Sequence, residues 1–235
     1  TVVISQKGYV RSRTGHGHDA TVMTYKMGDA FGVAFECRTT DQMVAVSDTG
    51  RVYTIAVSDL PSARGDGLPV NSFIDLEKGS TIIGYCVAKP EDRIVIATSE
   101  GMGFVCQFKD LFARVRAGKN FIKFDQKGVK ILVPQVVREG QTLLACLSEE
   151  GRLLIYDLNE VRVLPGGGKG VVLMDLNITE SLVIAKPIDA EGVLVTGIGR
   201  GGKDREYAVK KAVLEYHMGH RARKGKALDI RWKAT

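Results

Sequence analysis

Five short stretches join glycine to arginine or lysine in a pattern suited to holding phosphate. They are Arg11-Ser12-Arg13-Thr14-Gly15, Arg64-Gly65-Asp66-Gly67, Arg114-Val115-Arg116-Ala117-Gly118-Lys119, Gly166-Gly167-Gly168-Lys169-Gly170 and Arg221-Ala222-Arg223-Lys224-Gly225-Lys226. A guanidinium offers paired N–H donors to phosphate oxygens, and an ammonium offers a point charge. Glycine lets the backbone come close enough to donate its own N–H groups. Gly15, Gly65, Gly118, Gly167 and Gly225 are separated by 50, 53, 49 and 58 residues, so the stretches share one period. A single loop of this kind is ordinarily a solvated turn; five in phase are the argument for a polyanion partner. A further basic turn, Gly199-Arg200-Gly201-Gly202-Lys203, lies ahead of the last stretch. The candidate phosphate contacts are Arg11, Arg13, Arg64, Arg114, Arg116, Lys119, Lys169, Arg200, Lys203, Arg221, Arg223 and Lys224.

Other chemistry is weaker. Gly166–Gly170 looks like a phosphate cradle, but no Lys-Ser/Thr opening a helix follows it, which argues against a P-loop. His16 and His18 beside Asp19 lack a third ligand and read as polar loop residues. His217 and His220 flank the last basic stretch and are expected to add charge below a pH of about 6.5. Arg64-Gly65-Asp66 reads as a turn. There is no Ser/His/Asp order, no HExxH and no repeating carboxylate pair, so no catalytic site is expected. Cys37, Cys86, Cys106 and Cys146 sit singly in apolar runs, without the spacing of a zinc site or disulfide framework, and read as buried free thiols of a reducing cytoplasm.

The charge distribution supports the same partner. The 235 residues carry a formal net charge of +6. Residues 196–235 hold 11 Lys/Arg against 4 Asp/Glu, while residues 1–195 are nearly balanced at 22 against 23. A local basic excess is the electrostatic footprint of a polyanion-binding face. No apolar run reaches the roughly 18 residues of a membrane span, and no signal-peptide pattern opens the chain, so no membrane partner is expected. The abrupt start in Val2-Val3-Ile4, without an initiator Met, reads as a fragment of something longer.

A second repeat must position these loops. Hairpins of apolar run, polar turn with glycine and second apolar run occur at 3–10, 45–53, 97–105 and 146–154, with a degenerate fifth from Leu194 to Tyr207. Their turn glycines, Gly8, Gly50, Gly101 and Gly151, are spaced by 42, 51 and 50 residues. Ser-x-Gly or Ser-x-x-Gly between Val-, Ile- and Phe-rich runs marks a tight turn. Helical candidates are short, around 58–60, 109–112 and 209–214, and the first two belong to the turn before a basic loop. The expected fold is all-β: a β-pinwheel or propeller-like array of about five four-stranded blades of about 50 residues, forming one domain over 1–235. The ring is either closed or open; Ala227–Trp232 is the candidate to pair with the N-terminal strand. In such an array the basic loops fall on one rim. A protein-interaction propeller with incidental basic loops is the alternative reading.

Ser47-Asp48-Thr49-Gly50-Arg51-Val52-Tyr53, followed by Asp59-Leu60-Pro61 and Arg64–Asn71, resembles the C-terminal domain of bacterial type IIA topoisomerase A subunits, and the resemblance covers essentially the whole chain. It implies a β-pinwheel whose blades exchange strands and whose basic outer edge holds the transported duplex DNA segment by sequence-independent contacts. Catalysis, with ATP and Mg²⁺, belongs to segments outside this chain, in a holoenzyme of homodimeric A subunits and an ATPase B subunit in the bacterial cytoplasm. Gyrase A subunits carry a Gln-Arg-Arg-Gly-Gly-Lys-Gly box in the first blade. The matching loop here, Arg11–Gly17, lacks it, and Gly166–Gly170 is only a partial echo in a later unit. This places the resemblance with the topoisomerase IV branch, implying decatenation and relaxation and the selection of DNA crossing geometry rather than gyrase-style wrapping.

Overall fold

Four hairpins of nearly identical geometry carry the fold. In the computed structural model, which describes residues 1–198 and 204–228, their turn glycines lie at φ of +79° (Gly8), +82° (Gly50), +78° (Gly101) and +79° (Gly151). Each glycine N–H donates to the carbonyl three residues back, at Ser5, Ser47, Thr98 and Ser148, over 2.9–3.1 Å. The hydroxyls of Ser5, Ser47 and Ser148 then accept the N–H of the residue four ahead, Tyr9, Arg51 and Arg152, at 3.0–3.3 Å. The repeated Ser-to-Gly spacing is therefore a hydrogen-bonded turn, and glycine takes the positive φ without steric cost.

In chain order the elements are β1 (Val2–Ser5), β2 (Tyr9–Ser12) and β3 (Phe31–Phe35), then β4 (Gln42–Ser47), β5 (Arg51–Ala56), β6 (Leu68–Pro69) and β7 (Ile82–Val87). Next come β8 (Arg93–Ala97), β9 (Met102–Gln107), β10 (Lys119–Asn120) and β11 (Gln135–Val136), and then β12 (Leu143–Ser148), β13 (Arg152–Asp157), β14 (Val171–Val172) and β15 (Leu182–Ile188). The last are β16 (Val193–Ile198), β17 (Asp204–Val209), the helix α1 (Ala212–His217) and β18 (Lys226–Ala227). Short 3-10 turns at Val57–Asp59, Phe108–Leu111 and Leu158–Glu160 follow three of the hairpins. The first two are where the short helical candidates fell; in the third region only residues 212 onward are helical, because β17 runs to Val209.

The chain sorts into two compact units, Thr1–Pro90 with Leu111–Asn120, and Glu91–Asp110 with Phe121–Thr235. The first holds two sheets, ordered β3-β1-β2-β6 and β10-β5-β4-β7. Val2, Ile4 and Val10 of one face Met43, Ala45, Tyr53 and Ile55 of the other. The second unit holds the sheets β11-β8-β9-β14 and β15-β12-β13-β18, with a two-stranded β16-β17. Four units thus have the expected four strands and the fifth has two among the described residues. Strand β12 is buried on both faces: Leu144 and Cys146 join a core with Val95 and Val105, while Ala145 and Leu147 join another with Val195 and Val209. A strand covered on both sides reads as a continuous apolar run, which is why residues 143–147 show no alternation.

Each four-stranded sheet borrows its last strand from the next repeat. β6 follows the second hairpin yet pairs with β2, through Val10 and Leu68. Likewise β10 pairs with β5 through Lys119 and Val52, β14 with β9 through Val171 and Gly103, and β18 with β13 through Ala227 and Arg152. This is the strand exchange that the resemblance implied. It also corrects the pairing expected of the C-terminal run: β18 adds to β13, whose outer edge is free for it, whereas β1 is already flanked by β2 and β3. The rest of that run lies outside the described residues.

Candidate nucleic-acid interface

The four basic loops after the first occupy one topological position. Each leaves its hairpin, runs beside the second hairpin strand of the preceding repeat and ends in, or just before, the exchanged strand. Ser12 N–H donates to Pro61 O at 2.8 Å, Ala113 N–H to Thr54 Oγ1 at 2.8 Å, Val105 N–H to Arg162 O at 3.0 Å and Gly219 N–H to Ile155 O at 2.8 Å. The loop at 11–15 differs. It continues directly from β2 and leads to a 3-10 turn at Ala20–Val22 rather than to an exchanged strand.

The glycines serve the fold at these points. Gly67, Gly118, Gly170 and Gly225 all have positive φ, from +65° to +85°. A Cβ on them would lie 2.5 Å from Val10 O, 2.4 Å from Val52 O, 2.1 Å from Gly103 O and 2.8 Å from Leu153 O respectively. All four carbonyls belong to second hairpin strands, β2, β5, β9 and β13. These glycines press the incoming loop onto the preceding sheet, a role distinct from the approach to phosphate read from the sequence.

The basic side chains divide by partner. Arg13, Arg64, Arg114 and Arg223 are exposed, with no side-chain hydrogen bond or ion pair among the described residues. Arg11 departs from expectation. Only 4% exposed, it donates to Gly65 O and Thr24 O, each at 2.7 Å, with its guanidinium 5.0 Å over the Tyr25 ring. Val10 and Arg11 are both buried, on opposite faces of β2; Arg11 secures two loops and is removed from the solvent-facing set. Arg116 donates to Ser72 O at 2.9 Å and pairs with Asp75 at 3.4 Å. Arg221 donates to Val172 O at 2.6 Å and Lys224 to Asn177 Oδ1 at 3.2 Å. Lys169 pairs with Asp125 at 2.9 Å; that hydrogen bond, then the charge of Glu100, raises its pKa. Lys119 is half-buried in the β10–β5 ladder. Arg200 and Lys203 lie outside the described residues.

The histidines also divide. His220 lies 3.3 Å from Glu160, on the surface beside the last basic loop. His217 is buried at 2% exposure, and that burial holds its pKa below the ordinary 6.5 despite a contact to Leu153 O. The charge expected of it below about pH 6.5 is thus displaced to lower pH. Among the described residues no group of three or more His, Cys, Asp or Glu is placed to hold a metal ion. Cys86, Cys106 and Cys146 are buried free thiols and Cys37 is partly buried.

Two arginines outside the candidate set hold loops in place. Arg51 donates through Nη1 to Ala117 O at 2.8 Å and Gly118 O at 3.2 Å. Arg152 donates to Lys224 O and pairs with Glu180. Both open a second hairpin strand directly after the turn glycine, so the repeated Gly-Arg at 50–51 and 151–152 was the signal in the sequence.

The family model for the DNA gyrase C-terminal domain, β-propeller, matches residues 41–84, 92–137 and 142–189. The A subunit of DNA topoisomerase 4 from Escherichia coli strain K12 is 31% identical over 231 residues, covering 96% of this chain. The Pseudomonas aeruginosa protein of the same name is 35% identical over 237 residues, covering 97%. The chain spans 30% of the length of these curated relatives. The solved E. coli ParC C-terminal domain superposes with a TM-score of 0.86 at 30% identity, covering 97% of this chain and 93% of that one. Strand exchange, turn geometry and these matches agree: the chain belongs to the β-propeller family of DNA gyrase C-terminal domains, among those of topoisomerase IV A subunits.

Proposed function

We propose that residues 1–235 form one DNA-binding domain of a type IIA topoisomerase of the topoisomerase IV kind, holding duplex DNA by its phosphates without reading bases. The observation that carries this reading is the recurrence of exposed, unpaired arginines on equivalent loops, Arg64 and Arg114 in the first unit and Arg223 in the second, joined by Arg13, also in the first unit. Arg116, Lys119, Lys169, Arg221 and Lys224 supply nearby positive charge while holding loop structure, and Arg200 and Lys203 extend the set. Long unpaired guanidinium groups have no internal bond to break on meeting phosphate, so their ordering is the main cost of contact.

In the whole enzyme the domain presents the transported segment during decatenation and relaxation, working in the bacterial cytoplasm with the remainder of its A-subunit dimer and the ATPase partner. The absence of the gyrase box from 11–17 favours this role over gyrase-style wrapping. Fluorescence anisotropy with labelled duplexes of two unrelated sequences, titrated across salt, tests the DNA contact. Equal affinities that fall steeply with salt support phosphate holding. Weak binding that salt leaves unchanged would favour the protein-interaction reading.

A further inference from the structure

We infer that Arg51 and Arg152 are positioning residues for the DNA-contact loops, setting affinity without touching DNA. The inference rests on the reading above for its consequence, and on the geometry alone for the clamp itself.

The two arginines hold the same place in the repeat. Each opens a second hairpin strand, Arg51 in β5 and Arg152 in β13, and its backbone N–H is tied to the hydroxyl of the turn serine, Ser47 or Ser148. Each side chain crosses to the basic loop of the following repeat and bonds backbone carbonyls there. Arg51 takes Ala117 and Gly118, which end the loop bearing Arg114 and Arg116. Arg152 takes Lys224, next to Arg223, and its remaining donors go to Glu180 and Asp175 O. Arg51 Nε is buried without a hydrogen-bond partner among the described residues, so loop carbonyls alone hold its head group.

The other repeats show what replaces the clamp. In the first, Tyr9 opens β2, and Arg11, two residues further on, reaches Gly65 O instead. In the third, Met102 opens β9 and has no such donor. There the loop is pinned by its own backbone, Gly168 N–H donating to Phe121 O at 2.8 Å and Lys123 N–H to Gly168 O at 3.0 Å. The close approach that this requires explains the glycine run, since a Cβ on Gly167 would lie 2.2 Å from Phe121 O. An arginine head group and a glycine run are thus two solutions to one need, a basic loop held still. A loop already fixed loses less entropy on meeting phosphate.

The test uses the 235-residue chain with Arg51→Met, Arg51→Lys and Arg114→Ala, because Arg152 also neutralises a buried carboxylate and its loss endangers folding. Hydrogen exchange at the 115–119 amides of free protein reads the clamp. Anisotropy across salt reads its consequence. Arg51→Met should speed exchange there and weaken DNA binding roughly fivefold to tenfold, as expected for re-ordering about one residue's worth of backbone freedom. The slope of log K against log salt should stay at the wild-type value. Arg114→Ala should instead lower that slope by about 0.9, the signature of one lost phosphate contact. Arg51→Lys, with a point charge in place of the fork, should fall between wild type and Met. Unchanged exchange in Arg51→Met, or a slope reduced as in Arg114→Ala, overturns the inference. A wild-type chain that fails to bind DNA would sink the function reading alone, because exchange still reports whether the clamp exists.

Discussion

Arg152 and Glu180 form an ion pair whose carboxylate is wholly buried and whose guanidinium is 14% exposed. Arg152 Nε donates to Glu180 Oε1 at 3.0 Å, and Nη2 donates to Oε2. The same guanidinium donates to Lys224 O, so one side chain joins the turn before β15 to the basic loop before β18. Burial acts to raise the Glu180 pKa, but hydrogen bonds from Arg152 and Ser148 outweigh it and leave the group below its ordinary 4.5.

Removing one member of this pair should cost far more than removing both. Arg152→Met leaves a buried, uncompensated carboxylate and is expected to lose about 3–5 kcal/mol in urea unfolding. Arg152→Met with Glu180→Leu should recover most of that loss. Because the folded-state pKa of Glu180 is depressed, the pair's contribution is present above pH 4.5 and drains away as pH falls through the lowered value. A double variant no more stable than the single one would show that the pair's geometry, rather than the stranded charge, sets the cost.

Gly118 and Gly128 separate the two reasons a glycine is needed. Both have positive φ, +65° and +87°, but a Cβ on Gly118 meets Val52 O at 2.4 Å, whereas one on Gly128 meets nothing within 4 Å. Gly128→Ala should cost only the conformational strain, about 1–2 kcal/mol. Gly118→Ala must also push β10 off β5, and is expected to cost roughly 3 kcal/mol or more. Thermal or urea unfolding of the two variants gives the comparison, and equal losses would refute the close-approach argument.

His217 should make stability depend on pH in the mildly acidic range. Desolvation depresses its folded-state pKa below 6.5, so the unfolded chain takes up a proton first as pH drops. Stability attributable to the neutral ring is complete above 6.5 and declines below it, by at most about 1.4 kcal/mol per pH unit for one proton. The difference in urea midpoint between wild type and His217→Gln should therefore shrink from pH 7.5 to pH 5. A difference that stays constant would mean that the buried ring titrates normally.

Much of this was legible in the sequence, and the remainder was hidden for definite reasons. Gly8, Gly50, Gly101 and Gly151 announced the hairpins because their turn geometry is local, needing only the carbonyl of the serine or threonine three residues back. The exchanged strands were implied by family resemblance alone. β6, β10, β14 and β18 are two residues each, too short to carry a period, and their partners lie 58 to 75 residues away in the chain. Arg11 looked like Arg13, yet Arg11 is buried within β2 while Arg13, just past the strand's end at Ser12, is exposed. The inward turn became decisive only because Gly65 O and Thr24 O waited there, which no spacing records. The loop glycines were recognised as special but assigned to phosphate, since the Val10, Val52, Gly103 and Leu153 carbonyls that demand them belong to the preceding repeat.

That contrast between Arg11 and its neighbours sets the most direct test of the interface. If Arg13, Arg64, Arg114 and Arg223 each meet a phosphate, changing any one to Ala should lower the salt slope of DNA binding by about 0.9, and the losses should add. Arg11→Met should act differently. It removes the two hydrogen bonds to Gly65 O and Thr24 O, about 1 kcal/mol apiece, so it should reduce the unfolding free energy, while the folded protein keeps the wild-type slope. Four single variants that leave the slope untouched would remove the exposed arginines from the interface. An Arg11→Met chain of wild-type stability and reduced slope would instead return that buried guanidinium to the DNA-facing set.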